Sequence, residues 1–153
     1  MPHSFNKIWI HAIWATKNRL LFLDETIERK VHKYMRQQLI DYGCPVRIIN
    51  GMPDHVHCLF LLTPKKSIAE VIKQVKGSTS HWVNQQEVLA QQCLRRVGST
   101  FAWQTGYAAY SVSESVADQV YQYIRDQKQH HQWRSFQEEY EAFLALHGLE
   151  QPK

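Results

Sequence analysis

Two apolar, strand-like runs, Val46–Asn50 and His55–Leu62, are separated only by Gly51-Met52-Pro53-Asp54. Gly, Pro and Asp favour a reversal of the chain, so the two runs read as a β-hairpin with its turn at Gly51–Asp54. No other feature restricts the fold as strongly. A lone hairpin is barely stable in water, so this one has to sit inside a larger sheet, and the flanking sequence has to supply the rest.

The flanks carry helical spacing. Upstream, Ile27, Val31, Met35 and Leu39 form one stripe within residues 24–41, with Asp24 as the expected N-cap and Gly43 placed to end the helix. Downstream, Ser67 and Glu70 form a capping box that opens a helix with Ile68, Val71, Ile72 and Val75 inward, running to about Asn84. Residues 85–100 are polar and are read as a frayed helix end plus a loop. Residues 5–16 and 101–112 are rich in β-branched and aromatic side chains and are read as strands. Ser115 and Asp118 start a further helix to about Gln132, and a last one, 135–147, places Phe136, Tyr140, Phe143 and Leu144 on one face. The order β-α-β-β-α-β followed by helices is the split βαβ, ferredoxin-like α+β arrangement, expected to have helices on one sheet face and the other face open. Neither repeat nor linker divides the chain, so residues 1–153 are read as one domain, with a core at about 5–132 and a C-terminal helix and tail at 133–153.

Charge and cysteine content narrow the setting. The net charge is +4, and residues 61–100 alone carry six basic groups (Lys65, Lys66, Lys73, Lys76, Arg95, Arg96) against Glu70 and Glu87. A basic surface concentrated in this way suits a polyanion, although lysines on a solvated helix face are also ordinary. No apolar run reaches the roughly 20 residues that span a bilayer, and the N-terminus lacks a signal-peptide pattern. Three cysteines with no CxxC spacing fit a reducing cytoplasm.

The chemistry concentrates in two short motifs. His55 and His57 are two apart on a strand and share one sheet face, while Val56, Cys58, Phe60 and Leu62 share the other. Two imidazoles can bind a divalent metal, but two ligands make a weak site, and two partly exposed histidines without a role are the commoner reading of that spacing taken alone. Further on, Tyr123 and Gln127 lie at i and i+4 of a helix, with Val116 and Val120 on nearly the same stripe. A Gln amide oxygen can ligate a metal, with the tyrosine hydroxyl beside it; for an arbitrary pair at this spacing the ordinary reading is that Tyr123 packs in the core and Gln127 is simply polar. Tyr121 is paired at i+4 with Arg125, which cannot ligate a cation.

Taken together, the motifs have a family likeness. His55-Val56-His57 preceded by Met52-Pro53-Asp54, then Tyr123 and Gln127 after one more helix and strand, resembles the single-tyrosine transposases of the HUH superfamily, small enzymes of insertion sequences with relatives associated with repetitive extragenic palindromes. The segments Ile8–Arg19 and Trp103–Ser115 are similar to that family's first strand and to the strand before its tyrosine helix, and the likeness spans about residues 5–147. It implies a ferredoxin-like fold and metal-dependent cleavage and rejoining of single-stranded DNA through a 5′-phosphotyrosine. Tyr123 would be the nucleophile and His55, His57 and Gln127 would hold Mg²⁺ or Mn²⁺. It further implies hairpin-forming element ends as substrate and a homodimer whose sites are either separate or shared between subunits; the basic segment, with Lys65, Lys66, Lys73, Lys76, Arg95 and Arg96, would then hold the DNA backbone. Two other readings remain open: a domesticated binder of structured single strands that does not cut, and a phosphodiesterase that uses water.

Overall fold

The computed structural model describes residues 3–130, 136–146 and 148. Four strands, β1 (Trp9–Ala15), β2 (Val46–Met52), β3 (His55–Leu61) and β4 (Ala108–Val112), form one antiparallel sheet in the order β2-β3-β1-β4. The α-helices among the described residues are α1 (Glu28–Asp41), α2 (Ile68–Gln85), α3 (Glu87–Val97), α4 (Ala117–Arg125), α5 (Gln127–His130) and α6 (Phe136–Leu146). The fold is therefore the expected ferredoxin-like α+β arrangement. No helix among the described residues is long and apolar enough to cross a membrane.

Strand alternation sorts the side chains. Ile10, Ala12 and Trp14 of β1 and Val56, Cys58 and Phe60 of β3 are buried on one face. They pack with Val31, Met35 and Leu39 of α1 and Val71, Ile72 and Val75 of α2. Each large apolar side chain buried there contributes about 1.5–3 kcal/mol. Ser67 caps α2 as the sequence indicates, its hydroxyl accepting from Glu70 N at 3.1 Å. Asp24 caps the turn just ahead of α1, accepting from Thr26 N at 2.9 Å.

Four sequence expectations change. Residues 87–97 form a helix, α3, because Leu89 and Cys93 at i and i+4 are buried and Gly98 ends it at φ +81°. The expected strand 101–112 shrinks to Ala108–Val112, and the earlier part survives as the single bridge Thr16–Trp103. Gly51 and Met52 belong to β2, which leaves Pro53 and Asp54 as the whole hairpin loop. Finally, the second sheet face is not open. Leu59 and Val112 pack with Ala117, Val120 and Ile124 of α4, and Ile13 packs with Leu144 of α6. The expected end of the tyrosine helix at Gln132 lies outside the described residues, as do the side chains of Phe136, Tyr140 and Phe143.

Candidate metal centre and nucleophile

The covered face carries the candidate site groups. Register pairs Ala15 with His55, Ile13 with His57 and His11 with Leu59, so His11, His55 and His57 lie on one side of the sheet. All three are fully buried. Buried imidazoles are tolerated where their nitrogens find partners. Here His55 Nδ1 lies 2.8 Å from Asp54 Oδ1 and His57 Nδ1 lies 3.0 Å from His11 Nε2.

The opposite nitrogens of both rings meet one carboxylate. Glu139 of α6 stands 3.3 Å from His55 Nε2 and 3.3 Å from His57 Nε2. The ligand atoms of the three residues lie within 4.8 Å of one another, the one such cluster of three or more His, Cys, Asp or Glu among the described residues. Burial raises the Glu139 pKa, but hydrogen bonds and charge from His55 and His57 outweigh it and hold the carboxyl well below its usual range. Burial lowers the His55 pKa, and the Asp54 and Glu139 carboxylates more than reverse this, leaving it raised. Asp54 is held below its ordinary value, the cost of burial being exceeded by His55 and Arg19.

Tyr123 completes the group from α4. Its hydroxyl donates to Glu139 Oε1 at 3.2 Å, and its ring centroid is 5.9 Å from that of His57. The hydroxyl and the imidazole pair thus meet within one chain. Asn50, cross-strand from His57, fixes this arrangement: its Nδ2 donates to the carbonyls of Ile124 (3.0 Å) and Arg125 (3.1 Å), which satisfies the C-terminal end of the tyrosine helix. Lys128 reinforces it by donating to Asn50 Oδ1 at 3.1 Å. Tyr121 is turned elsewhere, beneath the Arg47 guanidinium at 4.8 Å. Gln127 opens α5 and is fully buried, and neither atom of its side-chain amide has a hydrogen-bond partner among the described residues. An orphaned buried amide fits a group waiting for a cation.

Beside the cluster, a cleft of about 360 Å³ is walled by His55, by Ile13 to Ala15 and by residues 104–108. Lys76 shapes this wall by donating to the carbonyls of Gln104 (2.8 Å) and Gly106 (2.7 Å). Of the six basic residues singled out in the sequence, Lys76 is thereby engaged with the protein. Arg96 is likewise engaged, pairing with Asp24 and donating to Thr26 Oγ1. Lys66 lies over the Tyr42 ring at 4.5 Å, and Lys65, Lys73 and Arg95 are exposed. Trp103 packs edge-on to Trp14 and Phe101, and Trp82 stacks on Tyr34 at 4.4 Å. His130 and His131 lie outside the described side chains.

Two residues of the site were not singled out in the sequence. Glu139 lies at i+3 from Phe136 and i−4 from Phe143, so an acid interrupts an apolar helical stripe; that mismatch was the available signal, since unpaired carboxylates are almost never fully buried. His11 interrupts an apolar strand in the same way.

An antiparallel ferredoxin-like sheet, two imidazoles sharing one carboxylate, and a tyrosine hydroxyl bonded to that carboxylate from a helix packed across the sheet are brought together here. The IS200-like transposase family model matches residues 4–127, and the chain belongs to that family. It is 28% identical over 117 residues to the ISDra2 transposase TnpA of Deinococcus radiodurans, which is 76% of this chain and 81% of that protein. A crystal structure described as a transposase from Deinococcus radiodurans R1 superposes with a TM-score of 0.63 at 27% identity, covering 81% of this chain and 93% of the other. A REP-associated tyrosine transposase bound to a REP hairpin gives a TM-score of 0.59 at 15% identity, over 86% of this chain and 73% of that one, and shares the fold. Glu139 lies beyond the residues that the family model matches.

Proposed function

We propose that this transposase cuts and rejoins single-stranded DNA through Tyr123, with a divalent cation held by His55, His57 and Glu139, and with Gln127 as a further ligand. The observation that carries the reading is the Tyr123 hydroxyl bonded to the carboxylate that bridges both imidazoles. Nitrogen and oxygen donors together suit Mn²⁺ or Mg²⁺. When bound, the cation supplies charge stabilisation to the phosphate oxygens.

The protein's own groups do the rest. Glu139 accepts the phenolic hydrogen bond and so orients the Tyr123 oxygen. Attack on phosphorus forms the Tyr–O–P bond and breaks the bond to the 3′ oxygen, which leaves as a hydroxyl. The 5′-phosphotyrosine keeps the phosphoester, so a second 3′ hydroxyl can reverse the step without ATP. The cleft beside His55 gives a strand access, and Lys65, Lys73 and Arg95 supply backbone contacts. The structural relative bound to a REP hairpin supports a hairpin-forming single strand as the substrate. Excision needs two cuts and each chain carries one such tyrosine, so a two-fold homodimer is the working unit.

The test is a labelled hairpin oligonucleotide with a single-stranded flank, incubated with Mn²⁺ and separated under denaturing conditions. A covalent adduct is expected with the wild type and is absent from Tyr123→Phe and His57→Ala. An adduct that survives Tyr123→Phe points to another side chain as the nucleophile, and cleavage without an adduct points to water; binding without cleavage points to a non-cutting binder.

A further inference from the structure

The Glu139 cluster works only if both rings turn the same nitrogen inward, and a histidine ring that flips exchanges its nitrogens. Two separate devices prevent the flip. On His55, Nδ1 is held by Asp54 at 2.8 Å, and the other oxygen of Asp54 accepts from Arg19 Nε at 3.1 Å. The loop carrying Asp54 is itself anchored: its carbonyl accepts from Thr16 N at 2.9 Å, and the Pro53 carbonyl accepts from Leu23 N at 2.9 Å. On His57, Nδ1 is held by His11 Nε2 at 3.0 Å from the neighbouring strand, where His11 is the diagonal neighbour in the register.

The segment that delivers Arg19 is conformationally disfavoured. Asn18 and Arg19 both take positive φ, +54° and +55°, in the left-handed region that side chains avoid. Backbone strain of this kind survives where the surroundings impose it and clusters at functional sites. Here Gln104 Oε1 accepts from Asn18 N at 3.1 Å, and the turn ends with Arg19 on Asp54.

We propose that Asp54 and His11 are positioning residues, which lock the His55 and His57 rings so that both Nε2 atoms face one cation beside Glu139. The inference rests on the metal reading above. Neither residue touches the cation or the reacting atoms; each acts through the imidazole that it holds. Outer partners of this kind typically govern metal affinity by 10–100-fold.

The test titrates Mn²⁺ into metal-free protein and follows the EPR signal of free Mn²⁺. A wild type that binds no Mn²⁺ sinks the metal reading itself. If the wild type binds, Asp54→Ala and His11→Phe are each expected to weaken binding about 10–100-fold. The melting temperature of the metal-free protein should drop only by what the lost hydrogen bonds account for, the bond to His57 for His11→Phe and the bonds to His55 and Arg19 for Asp54→Ala. His11→Gln restores an acceptor near the Nε2 position and is expected to recover affinity to within about threefold. Should His11→Phe or Asp54→Ala fail to fold, His11→Asn is compared with His11→Gln. The shorter amide cannot reach His57 and must bind Mn²⁺ about tenfold more weakly. Unchanged affinity in a folded Asp54→Ala or His11→Phe, or equal affinity in the two amide variants, overturns the proposal.

Discussion

Adding one methyl group to Gly51 should disturb the site more than it disturbs the fold. Gly51 has no positive φ, so glycine is needed here for space alone. A Cβ at this position would lie 2.2 Å from the His55 carbonyl oxygen and 2.9 Å from Val56 Cα. Both atoms are backbone of the partner strand, so no side-chain rotation relieves the contact. Reaching even a 3.0 Å separation means moving β2 and the start of β3 apart by about 0.8 Å. Overpacking of this kind costs about 1–3 kcal/mol, or roughly 3–10 °C in melting temperature for a chain of this length. The displaced backbone is that of His55 itself, and a misplacement near 1 Å can cost about 100-fold in a catalytic geometry. Gly51→Ala should therefore stay folded while losing one to two orders of magnitude in adduct formation, with Mn²⁺ affinity weakened as well. Urea denaturation, Mn²⁺ titration and the hairpin adduct assay read the three quantities separately. A variant with wild-type stability and wild-type Mn²⁺ affinity would refute the reasoning, because it would show that the strands separate without carrying His55 along.

Asn50→Ala removes both bonds that Asn50 makes to the end of α4. It should cost about 1–3 kcal/mol and slow adduct formation while hairpin affinity holds, whereas an unchanged cleavage rate would mean that the tyrosine helix is placed by packing alone. The His32 side chain is only 13% exposed, and burial, then the charge of Lys128, lowers its pKa to about 3. The unfolded chain takes up this proton near the ordinary value of 6.5 and the folded chain does not. The stability this group contributes is therefore complete above 6.5 and is lost as pH falls toward 3, at up to about 1.4 kcal/mol per pH unit. His32→Gln should flatten the urea midpoint against pH across that window, and a profile parallel to wild type would contradict the assignment. Lys73 is exposed on α2, so Lys73→Ala should lower the slope of log affinity for hairpin DNA against log salt by about one; an unaltered slope removes it from the DNA surface.

Period-two alternation in His55–Leu61 was enough to place His55 and His57 on one sheet face and Val56, Cys58 and Phe60 on the other, because a strand offers a side chain no third choice. The capping box at Ser67, the stripe on α1 and the split βαβ order were legible for the same reason: each depends on residues close in sequence. The helix at Glu87–Val97 was hidden because only Leu89 and Cys93 mark its buried side, and its polar remainder looks like loop. The site itself needed the tertiary structure. Tyr123 meets the histidines because Asn50, more than seventy positions earlier, anchors the end of its helix. Glu139 joins them because α6 folds back over the face expected to be open. His11 meets His57 through strand register. Local spacing assigns each side chain a direction along its own element; which directions converge is decided by long-range pairing and burial, and a single sequence does not encode that in any short window.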